Sequence, residues 1–119
     1  MIIWIGLAGV LGAVLRYSLG KVISGKLGTA FPWGTWVINI SGSLILGMLY
    51  GGHQAGSVSD DLWVVWGTGF CGAYTTFSTF GYETLTLMGH QRYTRAILYV
   101  VSSVVAGVLG CLAGVWLTA

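Results

Sequence analysis

The sequence predicts an all-α integral membrane protein with four membrane-crossing helices, the third of them broken partway along. Three observations predict it. The first is composition: 55% of the 119 residues are hydrophobic and only 7% are charged, whereas soluble domains carry about 25% charged residues. The second is segmentation. Apolar residues gather in four stretches, Ile2–Leu19, Trp33–Tyr50, Leu62–Met88 and Ala96–Leu117, each reaching the ~20 residues that span a bilayer. The third is the excess length of the third stretch. As one helix it would measure roughly 40 Å against a hydrocarbon core of about 30 Å. All the loops are short, so residues 1–119 are expected to form a single membrane domain.

The first segment carries Gly6, Gly9 and Gly12 at spacings of three, a smooth stripe for close helix approach. It lacks a basic leader and carries Arg16 at its far end, which argues against a cleavable signal peptide. Arg16 has no acidic partner on its own helix. It is either a cation snorkelling to the interface or an intramembrane functional charge. Lys21 and Lys26 follow in the first loop. Pro32 then suits the first turn of a helix, and Trp33 and Trp36 suit an interfacial belt. Within the second segment Asn39, with Ser41 and Ser43 nearby, places an amide in hydrocarbon. That amide must face a partner helix or a wet path.

The second loop holds His53, Asp60 and Asp61 but no Lys or Arg. Ser59, Asp60 and Asp61 suit an N-cap and first turn. The third segment contains Gly67, Gly69, Gly72, Thr75, Thr76, Ser78 and Thr79. Gly and Thr are poor helix formers, and their neighbours' hydroxyls compete for the backbone. A break is therefore expected near Gly72–Thr76. Backbone groups freed in lipid survive only when buried in protein, facing water or holding an ion, so the stretch is either a structural kink or an ion site. Phe77 and Phe80 follow at i and i+3, on one helix face. In the fourth segment Tyr99 and Ser103 share a face, and Gly110 and Gly114 form a GxxxG pair. Cys71 and Cys111 both fall inside spans, where they read as small packing residues rather than a disulfide.

This inventory excludes several chemistries. The spans carry no acidic pair for a membrane aspartyl protease and no nucleophile–histidine pair. No Cys/His cluster has metal spacing, and a net charge of +2 is too small to suggest nucleic acid. What remains is a set of buried hydroxyls, one amide, one cation and two phenyl rings. Phenyl rims are positive, so edge-on rings beside hydroxyl and amide donors suit a small anion. From the residues alone, either a small-anion path or a polar-lined helix bundle fits.

Three motifs narrow this: GxxGAxxRY at Gly9–Tyr17, GTWxxNxxGSxxxG at Gly34–Gly47 and GxCGxxTTFSTFxxE at Gly69–Glu83. Together they closely resemble the Fluc/CrcB family of fluoride channels, and the resemblance spans all four segments. It implies a passive, fluoride-selective channel that exports fluoride from the cytoplasm and lowers its toxicity. It also implies an antiparallel, dual-topology dimer with two pores in the plasma membrane. By the same resemblance, Phe77 and Phe80 are edge-on pore phenylalanines and Asn39 is the pore amide. Ser78, Thr79, Tyr99 and Ser103 match the polar track, while Arg16 and Glu83 match vestibule positions. The backbone carbonyls of Gly72 and Thr75 match a structural Na+ site at the dimer interface.

Loop charge fits this less simply. Lys21, Lys26, Arg92 and Arg95 occupy the first and third loops, and the second loop has none. The positive-inside rule places those two loops in the cytoplasm and both termini outside. Such a bias favours one orientation, whereas a dual-topology homodimer needs two. A heterodimer with an oppositely oriented homologue is the alternative, although the intact pore motifs favour a homodimer. Two other function classes remain for comparison. Small multidrug exporters share this size but need a carboxylate in the first helix, and Ile2–Gly20 has none. A non-transporting scaffold would have no use for Asn39, Phe77 and Phe80 as a set.

Overall fold

The computed structural model describes residues 1–119, and every regular element in it is helical. α1 spans Ile2–Leu27, α2 spans Trp33–Gln54 and the last helix, α5, spans Tyr93–Thr118. Between them the chain forms two helical runs. The first, α3, joins Asp60–Trp63, Val64–Cys71 and Gly72–Tyr74 without a gap, and the second, α4, spans Ser78–Gly89. Thr75, Thr76 and Phe77 separate them. The molecule measures 48 × 29 × 22 Å, so its long axis exceeds the roughly 30 Å of a hydrocarbon core. α1 and α5 are each long and apolar enough to cross a membrane.

Helix ends follow from local chemistry, and α1 departs from the sequence reading. α1 continues past Leu19 to Leu27, because Lys21, Ser24 and Lys26 lower hydropathy without breaking a helix. It stops at Gly28, whose φ of 81° is open to glycine at little cost. Pro32 sits just before α2, as the sequence places it, and its carbonyl accepts the Trp36 amide at 3.1 Å. Ser59 caps α3 as expected, accepting the Leu62 amide at 3.2 Å, with Asp60 and Asp61 in the first turn.

The packing has two seams. α2 runs along α5, and α3 runs along α1, with α1 and α2 also in contact. Both seams depend on missing side chains. A Cβ on Gly12 would overlap the Phe70 carbonyl and lie 3.1 Å from the Tyr74 amide nitrogen. On the other seam, Gly47 faces the Cys111 carbonyl and Gly114 faces the Leu44 carbonyl. This is the small-residue packing that lets helices approach in an apolar solvent. Between Val64 and Cys71 α3 widens to π geometry, with the Gly72 amide reaching back to the Gly67 carbonyl. Wide turns of this kind often mark functional segments.

The interruption falls at Thr75–Phe77, at the far edge of the expected Gly72–Thr76 window. Gly72 itself stays helical, absorbed into the widened turns. The Thr75 hydroxyl donates back to the Cys71 carbonyl at 2.8 Å, and Thr75 then turns extended at φ −83° and ψ 158°. After the break the chain changes neighbours: α3 lies against α1, whereas α4 leans on α5.

Candidate functional site

The site is assembled where the helix stops. Asn39, about two turns into α2, meets the break edge-on. Its Nδ2 donates to the Thr76 carbonyl at 3.0 Å, and its Oδ1 accepts the Thr76 amide at 2.9 Å. One carboxamide thereby satisfies both main-chain groups of a residue that has left the helical ladder. The Thr76 hydroxyl turns the other way: it donates to the Thr79 hydroxyl at 3.2 Å and accepts the Thr79 amide at 3.3 Å. This caps the start of α4.

Two cavities meet at Thr76. The first, about 410 Å³, is lined by Asn39, Ser43, Thr76, Phe77, Phe80 and Ser103, and reaches back to Cys71, Gly72 and Thr75. No charged side chain borders it. The second, about 380 Å³, is lined by Arg16, Lys21, Thr35, Thr76, Thr79 and Glu83. It brings two cations and one carboxylate together, a net positive recess. Glu83 accepts a short hydrogen bond from the Thr35 hydroxyl. The Nε of Arg16 is buried without a partner within the chain.

The sequence-predicted residues divide between these spaces. Asn39, Phe77, Phe80 and Ser103 share the first cavity, as do Gly72 and Thr75. Arg16, Thr79 and Glu83 share the second. Phe77 is 83% exposed, while Phe80 is half-buried with its centroid 6.0 Å from that of Phe77. Ser78 is exposed, with its hydroxyl 3.4 Å from that of Thr76. Tyr99 borders neither cavity. It is fully buried behind Phe80, at 4.9 Å between centroids, and is met edge-on by Phe31 at 5.5 Å. The hydroxyls of Tyr99 and Ser103 are both buried and lack partners within the chain. Orphaned donors of this kind are costly unless something occupies the space beside them.

Two contributors escape the sequence reading. Thr35 holds Glu83, and it stands one turn before Asn39 on the same face of α2. That spacing within the GTWxxN motif is the one signal for it. Thr76 is the pivot between the cavities, a role carried by its main chain and invisible to residue type. Ser41 also reaches across, its hydroxyl 2.9 Å from that of Tyr74.

Residues 3–115 match the family model described as CrcB-like protein, Camphor Resistance (CrcB). A protein of Streptomyces avermitilis named fluoride-specific ion channel FluC 1 is 45% identical over 105 residues, covering 88% of this chain and 85% of its own. The fluoride-specific ion channel FluC 2 of Clostridium acetobutylicum is 40% identical over 106 residues, covering 89% and 87%. The fluoride-specific ion channel FluC of Methanococcus maripaludis is 42% identical over 116 residues, covering 98% and 90%. With nearly its whole length matched, this chain belongs to the CrcB-like protein family.

Proposed function

We propose that the chain is a fluoride-selective channel that lets fluoride leave the cytoplasm by passive electrodiffusion. The observation that carries this reading is the first cavity. Two phenyl rings, an amide and an orphaned hydroxyl surround one uncharged space at a helix break. Fluoride is small and strongly hydrated, so a pore must replace its water with donors and positive ring rims. Asn39, Ser103, Phe77 and Phe80 supply both. Thr79, Ser78 and Tyr99 extend the polar track, with the Tyr99 hydroxyl set behind Phe80. The second cavity, with Arg16 and Lys21, raises the local anion concentration at the entrance.

The working unit is an antiparallel pair of chains, multi-pass in the plasma membrane. Phe77 at 83% exposed and Tyr82 at 71% exposed are surfaces that a second copy would cover. The carbonyls of Gly72 and Thr75 fit a structural Na+ there. No main-chain amide donates to either, because Thr75 bonds to Cys71, Thr76 to Asn39 and Thr79 to the Thr76 hydroxyl. A hard cation prefers such free carbonyl oxygens. When bound, the ion would supply positive charge beside the anion path. A second copy bringing the same two carbonyls would complete its oxygen shell.

Fluoride efflux from proteoliposomes holding only this chain tests the reading, with chloride as the comparison anion. Rapid fluoride-selective efflux is expected, and it would also establish the chain as self-sufficient despite its loop-charge bias. Should efflux be absent both alone and with an oppositely biased homologue, the channel reading fails.

A further inference from the structure

We infer that Asn39 is a positioning residue that latches the helix break, and that it acts on conduction by fixing how Phe77 is presented to the cavity. The inference rests on the channel reading for its consequence and on hydrogen-bond geometry for its mechanism. Thr76 has left the helix, so its amide and carbonyl have no ladder partners. Both are taken by Asn39, at 2.9 and 3.0 Å, in the pairwise manner of two strands facing each other. A carboxamide is the side chain that can do this, with an acceptor and a donor side by side. The bonds use Oδ1 and one Nδ2 hydrogen. One hydrogen remains, and Asn39 lines the first cavity.

The latch is anchored on its own side. The Ser43 hydroxyl donates to the Asn39 carbonyl at 2.9 Å, and Asn39 is held about two turns inside α2, which lies along α5. On the other side the consequence is local. Phe77 is the residue after Thr76, and its ring, 83% exposed, has little packing of its own to hold it. Its position is therefore inherited from the Thr76 backbone. Thr76 is also the residue common to both cavities. A loosened Thr76 would alter the passage between them and the angle of the ring at once.

Three forms of the chain separate this role from that of a plain ion ligand: the unaltered chain, Asn39→Ala and Asn39→Asp. Asn39→Asp keeps the acceptor for the Thr76 amide and loses the donor to its carbonyl. The readouts are hydrogen exchange of the Thr76 amide by residue-resolved NMR, and the 19F signal of 4-fluorophenylalanine placed at position 77. Neither needs fluoride to move. Asn39→Ala is expected to speed exchange at Thr76 about tenfold, the factor equivalent to one net hydrogen bond of roughly 1.4 kcal/mol. It is also expected to shift or split the 19F line and lower fluoride flux at least tenfold. Asn39→Asp is expected to keep Thr76 protected within about threefold. Unchanged exchange and an unchanged 19F line in Asn39→Ala, whatever the flux, would overturn the latch. If Asn39→Ala does not fold, Asn39→Asp decides alone, since lost protection there contradicts an acceptor bond to the Thr76 amide. A chain with the expected exchange behaviour but no fluoride efflux would sink the channel reading and leave the latch standing.

Discussion

α3 and α4, the two helices of the third apolar segment, share a stretch of sequence and almost nothing else. α3 is rich in glycine and closely buried. Gly67, Gly69, Phe70, Cys71 and Tyr74 are all buried, and the run lies against α1 along its glycine stripe. α4 is aromatic and open. Leu87 is its one buried residue, while Tyr82 and Leu85 are 71% and 68% exposed. It leans mainly on α5, with Glu83 held by Thr35 of α2. The difference separates two tasks. α3 holds the fold of the single chain, whereas α4, with Phe77 just ahead of it, carries side chains that the single chain leaves open. The break at Thr75–Phe77 lets one segment do both, because it frees the second half to follow a different helix.

If that division is right, adding bulk to α3 should unfold the chain, and the same bulk in α4 should not. Gly69→Val is the severest test. A Cβ there would come within 2.7 Å of the Ile5 carbonyl and 3.2 Å of the Ala8 methyl, and backbone cannot give way as a side chain can. Overpacking of this kind costs ~3 kcal/mol or more. Loss of folded protein by size-exclusion chromatography and thermal melting is expected. In α4, Gly81 has open space where a Cβ would go, so Gly81→Ala should melt at or above the original temperature. A Gly69→Val chain as stable as the original would erase the distinction.

Phe77→Ile sharpens the comparison from the functional side. The ring is 83% exposed in the single chain, so stability should change by less than ~0.5 kcal/mol. Flux should nevertheless fall at least tenfold, because an aliphatic side chain has no positive rim to offer fluoride. Stability and transport would then part company at one residue. Equal transport by the variant would assign Phe77 to packing against lipid or a partner.

How much of this was legible beforehand follows the same line. The all-helical fold, the apolar character of α1 and α5 and the interruption of the third segment were readable, because hydropathy and the Gly/Thr cluster report directly on solvent and helix propensity. Asn39 was readable as an amide in need of a partner. Its partner was not, since the Thr76 backbone carries no side-chain signature. The Thr35–Glu83 bond joins residues 48 apart, and nothing local in either stretch pairs them. The π geometry from Val64 to Cys71 was hidden as well, since no residue type in the stretch marks it, and so was the close approach of α1 to Gly69, a tertiary contact. The extension of α1 to Leu27 was missed because hydropathy marks where lipid ends, not where a helix ends.

Thr35→Val asks whether the second cavity belongs with the fold or with transport. It removes the donor to a half-buried carboxylate and keeps the volume. A hydrogen bond to a charged group contributes about 1.5–3 kcal/mol where water is excluded, and less here, because Glu83 is only half-buried. A loss near 1 kcal/mol in thermal unfolding is expected, below the effect of Gly69→Val. Flux should fall in parallel if Glu83 then swings toward Arg16 across the recess.

Ser78→Ala should produce the smallest change, and for that reason it tests the single-chain view most finely. Ser78 opens α4 and is exposed, with one weak contact at 3.4 Å to the Thr76 hydroxyl. Thr76 keeps its better bond to Thr79 at 3.2 Å, so nothing buried is left unpaired. Stability should move by less than ~0.5 kcal/mol, as for most exposed sites. Flux should fall only a few-fold if Ser78 is one donor among several along the path. A much larger loss at unchanged stability would mean that the Ser78 hydroxyl meets the ion in a space this chain encloses only with its partner. The exposed side of α4 would then be part of the conduction path itself.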